Sequence, residues 1–241
     1  MSPALEVFVY TLPAWLIATV GGVFAAARPP APVMTAVVQH LAAGIVFAAT
    51  ALELLPKERG EAAEPVVLGF ALGIGLMLAL RWWAGTIEKR EEAQRLPTGL
   101  LAVTAFDLLI DGLVLGMAFA AGEKTGVLLT VALKLEVLFM VLSTGAAMSR
   151  AGVDRWTVSA AAFGMGGLLS IAAVMGRLLL GSLPKYSFAV LLGIGIVALL
   201  YLVTEELLVE AHEVPETPVA IAAFFLGFLA FLIIEMKLEG A

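Results

Sequence analysis

Two aspartates lie four residues apart inside an otherwise apolar stretch, AFDLLIDGLVLGMAF (residues 105–119). In a helix, one turn separates Asp107 from Asp111, so both carboxylates lie on one face. Two like charges in apolar surroundings repel each other and lose hydration, so something must compensate them. Such a pair can bind a hard or borderline divalent cation, share a proton, or form a buried ion pair with a lysine. The residues alone leave all three alternatives open.

Two later apolar stretches also carry ionisable residues. In VALKLEVLFMVLS (131–143), Lys134 and Glu136 lie about 200° apart on a helical wheel, so only one of them can face the aspartates. Glu205 and Glu206 are adjacent and about 100° apart, so at most one of them points directly at the centre of a bundle. Ionisable groups inside a membrane are costly and indicate function by default.

Other ionisable residues in the apolar stretches are candidates for an accessory or gating role. His40 lies within an apolar stretch, whereas Glu53, Glu210 and Glu235 lie nearer the ends of theirs. These three glutamates fit either a functional role or contact with lipid headgroups and water. The accessory or gating candidates are therefore Lys134, Glu53, His40, Glu205 and Glu210.

The composition indicates that these residues lie in a membrane protein. The chain has 241 residues, of which 61% are hydrophobic and 14% are charged, against roughly 25% charged residues in soluble proteins. Apolar runs of about 20 residues recur along the whole chain, and a lipid environment forces such runs to be helices. The absence of cysteine excludes disulfides and thiolate metal sites. The net charge of −6 and the lack of a basic cluster argue against a nucleic-acid partner.

Charged and proline-containing stretches divide the chain into eight spans. They form a single transmembrane domain, residues 1–241, with approximate spans 4–27, 33–55, 65–87, 98–121, 125–148, 155–180, 186–210 and 217–238. The first span lacks a basic region before it, so we expect a transmembrane helix and not a signal peptide. The basic residues of loop 88–95 predict cytoplasmic odd-numbered loops and both termini outside. We expect a multi-pass protein of the plasma (inner) membrane.

The ends of spans 2 and 7 have similar sequences. ALELLPKE (51–58) and TEELLVEAHE (204–213) both place a glutamate before Leu-Leu at the end of a long apolar helix. Spans 2 and 7 cross the membrane in opposite directions. The similarity therefore predicts an inverted repeat that relates spans 1–3 to spans 6–8, an arrangement found in secondary transporters.

Three segments resemble the ZIP (Zrt/Irt-like) family of divalent metal-ion transporters. HLAAGIVFAATALELLP (40–56) is similar to the family's span 2, and DLLIDGLVLGMAF (107–119) is similar to span 4, with its His-Asn-x-Pro-Glu-Gly pattern. YLVTEELLVEAHE (201–213) is similar to span 7 and is the most specific match. The resemblance suggests a divergent, prokaryotic-type member with a 3+2+3 arrangement of eight helices and both termini outside.

The resemblance also implies a metal site. Carried over by position, Asp107, Asp111, Glu136 and Glu206 occupy the places of metal ligands. Other family positions differ and carry Val46, Leu108, Ile110, Leu135, Phe139 and Val209 here. Because a family member has ligands for two adjacent metals, we hypothesise that the ammonium group of Lys134 replaces one of them. The loss of histidine ligands favours harder ions such as Mn²⁺, Fe²⁺ or Mg²⁺ over zinc.

The resemblance implies transport of divalent metal ions (Zn, Mn or Fe class) towards the cytoplasm by alternating access through a central carboxylate site. Two alternatives stay open: proton-linked transport of another solute by an Asp-Lys-Glu cluster, and a cluster that serves packing alone. We expect no enzyme activity and no covalent cofactor, because no nucleophile–base pair, phosphate loop or cofactor motif is present. The expected partners are the lipid bilayer and the transported ion, with a homodimer left open.

Overall fold

The protein is all-helical in the residues described by the structure, a computed structural model that covers 2–28, 30–91, 98–212 and 217–239. Eight of its helices are long and apolar enough to cross a membrane, which agrees with the eight predicted spans. The chain is therefore a multi-pass membrane protein. The side chains of the charged stretch 88–95 and of Glu210 lie outside the described part.

The helices, in chain order, are α1 (Pro3–Ala27), α2 (Pro32–Ala49, continued by Thr50–Leu54 and Leu55–Arg59), α3 (Ala63–Glu91), α4 (Thr98–Ala121), α5 (Glu123–Arg150), α6 (Arg155–Met175, continued by Gly176–Leu180), α7 (Lys185–Tyr201, continued by Leu202–Leu207 and Leu208–Ala211) and α8 (Pro218–Glu239).

Three helices contain π-helical segments, which the sequence analysis does not predict. These segments are Thr50–Leu54 in α2, Gly176–Leu180 in α6 and Leu202–Leu207 in α7. Single π turns are rare and are frequently found at functional sites. Glu53 lies in the first of them and both Glu205 and Glu206 lie in the third. The similar sequences at the ends of spans 2 and 7 thus coincide with the same departure from α-helical geometry.

Local sequence signals set the ends of several helices. Proline occupies the first position of α1 and of α2, where its missing N–H is not needed. Asp154 caps α6 by accepting hydrogen bonds from the backbone amides of Trp156 and Thr157. The hydroxyl and amide of Thr157 also hold the pKa of Asp154 below its usual value, because they stabilise the ionised carboxylate.

The helices pack in pairs that include glycine contacts. α1 packs against α5 and α6, α4 against α5 and α6, α2 against α8, and α3 against α7. A Cβ added at Gly44 of α2 would lie 2.0 Å from the carbonyl oxygen of Phe224, and one at Gly69 of α3 would lie 2.5 Å from that of Val190. Only glycine permits such close approach of two helix backbones.

Candidate functional site

The candidate site is built where α4 and α5 run antiparallel. A single residue, Gly122, separates the two helices, so they must pack as neighbours in opposite directions. Near one end of the pair the hydroxyl oxygens of Thr104 and Thr144 lie 3.5 Å apart. Continuing this register towards Gly122 brings Asp111 of α4 opposite Glu136 of α5.

Asp111 and Glu136 form a buried carboxyl pair. The residues are 3% and 0% exposed, and their carboxyl groups lie close enough to interact electrostatically. No described N–H or O–H group donates to Oδ2 of Asp111 or to either carboxyl oxygen of Glu136. Ionised carboxylates only accept hydrogen bonds, so two of them cannot join without a third species. The contact therefore requires a proton or a cation between the two groups.

Two further predicted ligands lie close to this carboxyl pair. Glu206 of α7 interacts electrostatically with both Asp111 and Glu136, and Asp107 does so with Glu136. Three helices thus place four acidic side chains in one region. Among the described residues, however, no three His, Asp or Glu side chains lie close enough together to hold a metal ion.

A cavity of about 410 Å³ leads towards the carboxyl pair. It is bounded by the later parts of α3, α5 and α7 and by the first part of α4. Asp107 and Glu206 line it, and Asp111 lies one helical turn beyond Asp107. The other polar or aromatic residues of its wall are Arg81, Trp83, Thr104, Phe106, Phe139, Ser143, Thr144, Tyr201 and Glu205. The cavity therefore lies at the end of the bundle that carries the odd-numbered loops.

Arg81 and Glu205 form an ion pair across this cavity wall. The Nη1 atom of Arg81 on α3 lies 2.5 Å from Oε2 of Glu205 on α7. Neither side chain is buried by the described part of the protein. Glu205 points towards Arg81, and Glu206 lies about 100° away around the same helix. Glu206 is therefore the α7 glutamate nearer the carboxyl pair.

Lys134 does not neutralise the span 4 aspartates in this structure. Its side chain is half-buried on α5, and within the described residues it forms no ion pair with Asp107 or Asp111. The reason is helical geometry: Glu136 faces α4, and Lys134 lies about 200° away around the same helix. The hypothesis that Lys134 replaces a second metal ion therefore has no support from an ion pair.

Glu53, which the sequence allows as a group in contact with lipid headgroups or water, is buried within the protein. It is 7% exposed, and the hydroxyl of Thr125 on α5 donates to its carboxylate over 3.1 Å. Five residues further along, Glu58 is 1% exposed, and neither of its carboxyl oxygens has a hydrogen-bond partner among the described residues. Glu235 is half-buried on the peripheral helix α8.

The sequence analysis does not select Arg81, Glu58 or His212. Arg81 could have been selected from the sequence, because it is the single charged residue within span 3 (65–87). Glu58 and His212 lie at the ends of the two similar segments, where the sequence favours loops. His212 lies against His40, with ring centroids 5.4 Å apart.

In comparisons with protein-family models and with curated proteins, no family and no protein matches the chain. The resemblance to ZIP transporters therefore stays a prediction from the motifs.

Proposed function

We propose that the protein transports divalent metal ions across the membrane, towards the cytoplasm, through the acidic residues of α4, α5 and α7. The observation that supports this most directly is the buried pair of Asp111 and Glu136, in which three of the four carboxyl oxygens have no hydrogen-bond partner among the described residues. A buried carboxyl pair of this kind needs a positive species between its oxygens. A divalent cation meets that need, and Asp107 and Glu206 add negative charge nearby.

The position of the cavity supports access from one side at a time. Asp107 and Glu206 line the cavity, whereas Asp111 and Glu136 lie beyond it. In the proposed orientation, with both termini outside, the cavity opens towards the cytoplasm. A cation held by the carboxyl pair would leave through Asp107 and Glu206, which replace part of its lost hydration.

The helix packing supports the proposed inverted repeat. Relating α1–α3 to α6–α8 turns the α2–α8 pair into the α7–α3 pair, and both pairs are closely packed. The same operation turns α1–α5 into α6–α4, which also pack closely. Glycines occur at both of the first two contacts. Gly44 and Gly227 lie where α2 crosses α8, and Gly193 and Gly69 lie where α7 crosses α3. Transport by movement of two such halves is typical of inverted repeats.

The donor atoms of the proposed site indicate which class of metal ion it would prefer. The four acidic candidates offer only carboxylate oxygens, which favour hard or borderline ions such as Mn²⁺, Fe²⁺ or Mg²⁺ over softer ones. Asp111 and Glu136 alone supply at most four oxygen atoms. We therefore expect the cation-loaded state to draw Glu206 or Asp107 closer to the pair than the present structure does.

Proton-linked transport of another solute is the second candidate. It is favoured by the same contact, because one proton shared between Asp111 and Glu136 also satisfies the pair. The finding that no three described ligands converge fits this candidate as well.

Uptake into proteoliposomes tests both candidates. We expect wild-type protein to take up Mn²⁺, Fe²⁺ or Zn²⁺, and Asp111→Asn and Glu136→Gln to abolish uptake. Glu64→Gln is the matched control, because Glu64 is an exposed carboxylate at the start of α3. A pH-sensitive dye inside the vesicles reports proton movement. If no divalent cation enters while Asp111→Asn abolishes a proton flux, the second candidate replaces the first.

A further inference from the structure

The two histidines of the chain lie next to each other although 172 positions separate them in sequence. His40 belongs to the first part of α2, and His212 directly follows the last turn of α7. Their ring centroids are 5.4 Å apart and their ring planes are inclined by 60°. His40 is 3% exposed, whereas His212 is exposed to solvent. The pair therefore joins the protein interior to the surface at the end of the bundle with the odd-numbered loops.

Both rings are held in the same tautomer. Nδ1 of His40 lies 2.8 Å from the carbonyl oxygen of Ala36, and Nδ1 of His212 contacts that of Leu208. A carbonyl oxygen only accepts hydrogen bonds, so each Nδ1 carries the proton and donates it. In the neutral ring the lone pair is then on Nε2. Metal-binding histidines typically have this arrangement, with the other ring nitrogen fixed by a backbone carbonyl.

The distance between the rings suits a shared metal ion. With an Nε2–metal bond of about 2.0 Å and tetrahedral angles, two imidazoles on one ion have centroids about 5.2 Å apart. The observed separation of 5.4 Å is close to this value. We propose that His40 and His212 together bind one divalent transition-metal ion of the Zn²⁺, Ni²⁺ and Cu²⁺ class through Nε2, with water completing its coordination.

This two-histidine site differs from the carboxyl pair in its donor atoms and position. Imidazole nitrogen favours Cu²⁺, Ni²⁺ and Zn²⁺ over Mn²⁺ and Mg²⁺ far more than carboxylate oxygen does. His212 lies six residues after Glu206, or about 9 Å further along α7. Among the described residues no third acidic or histidine side chain completes a set of three. Two protein ligands predict reversible binding that links the ends of α2 and α7.

Electron paramagnetic resonance with Cu²⁺ tests the site directly. The protein carries both Asp111→Asn and Glu136→Gln, which disable the carboxyl pair, and is purified with a tag that contains no histidine. Because the chain has only two histidines, any imidazole signal in the electron spin echo must come from them. We expect one bound Cu²⁺ with two imidazole nitrogens, and one nitrogen in either His40→Gln or His212→Gln. We also expect each single variant to bind Cu²⁺ at least about tenfold more weakly.

The outcome does not depend on metal transport, since binding is measured with the carboxyl pair disabled. Glu64→Gln, at the opposite end of the bundle, is the control and should keep both nitrogens. His212 is exposed, so His212→Gln is expected to fold as judged by size-exclusion chromatography, and it decides the result if His40→Gln does not fold. Parent protein with a single imidazole nitrogen, or with none, would overturn the proposal.

Discussion

Replacing Glu136 with glutamine tests the central contact, because it removes the need for a third species. In Glu136→Gln, the new side-chain amide can donate an N–H to Asp111 without a proton or cation between the two groups. In the wild type, Asp111 and Glu136 lack a described donor at three buried oxygen atoms. A buried polar group without a partner costs about 1–3 kcal/mol, and a hydrogen bond to a charged group contributes about 1.5–3 kcal/mol.

We therefore expect Glu136→Gln to be more stable than wild type by about 1–3 kcal/mol when no divalent cation is present. For a chain of this length, each kcal/mol raises the melting temperature by roughly 2–4 °C. The assay is thermal unfolding in detergent with a chelator present, followed by circular dichroism. Added Mn²⁺ or Zn²⁺ should then stabilise the wild type, by about 2.7 kcal/mol at a hundredfold excess over Kd. The same ions should leave the melting temperature of the variant unchanged.

Glu136→Ala is the matched comparison, because it removes the carboxylate without supplying a donor. It also leaves a cavity beside Asp111, so its melting temperature should fall below that of wild type. The reasoning is refuted if Glu136→Gln melts below wild type in the chelator, or if it retains both cation stabilisation and uptake. In that case the contact between the two carboxyl groups does not need the third species inferred from it.

Three further changes test the packing and the helix ends. Gly44→Ala should lower the melting temperature strongly, because the new Cβ would lie 2.0 Å from a backbone oxygen of α8. Gly75→Ala is the control: its Cβ would meet nothing within 4 Å, so the melting temperature should not change. Thr125→Val removes the hydroxyl that donates to Glu53 and should cost about 1–3 kcal/mol; an unchanged melting temperature would contradict this contact. The pKa of Asp154 is lowered in the folded protein, so its capping contribution is complete at neutral pH and is lost as the pH falls through that lowered pKa. Amide exchange in the first turn of α6 should therefore accelerate on acidification in wild type, and should no longer show this pH dependence in Asp154→Ala.

The sequence predicts the eight helices well because a lipid environment permits few alternatives. Every predicted span is a helix, and the differences lie at the ends, where α2 continues to Arg59 and α5 begins at Glu123. Polar residues at a helix end can extend the helix into the interfacial region without cost, so hydropathy does not fix these boundaries. The π-helical segments could not be predicted either, because they depend on packing between helices and not on local composition.

The sequence limits which acidic residues can share a helix face, but not which of them come into contact. The four-residue spacing of Asp107 and Asp111 and the roughly 200° separation of Lys134 from Glu136 are each properties of a single helix. The sequence alone therefore determines them. Which of the two faces Asp111 depends on how α5 is rotated against α4, and only the structure answers that. The contact between His40 and His212 joins the first part of α2 to the end of α7, and no local pattern encodes it.

The π-helical segments of α2 and α7 link the sequence similarity to the proposed transport. A π turn inserts one extra residue, so it rotates the side chains that follow relative to those before it. Glu53 and Glu206 lie within these segments, and each faces α5 or its neighbours through a polar contact or an electrostatic interaction. A return to regular α-helix in α7 would turn Glu206 relative to the carboxyl pair without moving the rest of the bundle. We therefore expect α7 to change the number of carboxylates around a cation, while α4 and α5 keep Asp111 and Glu136 together.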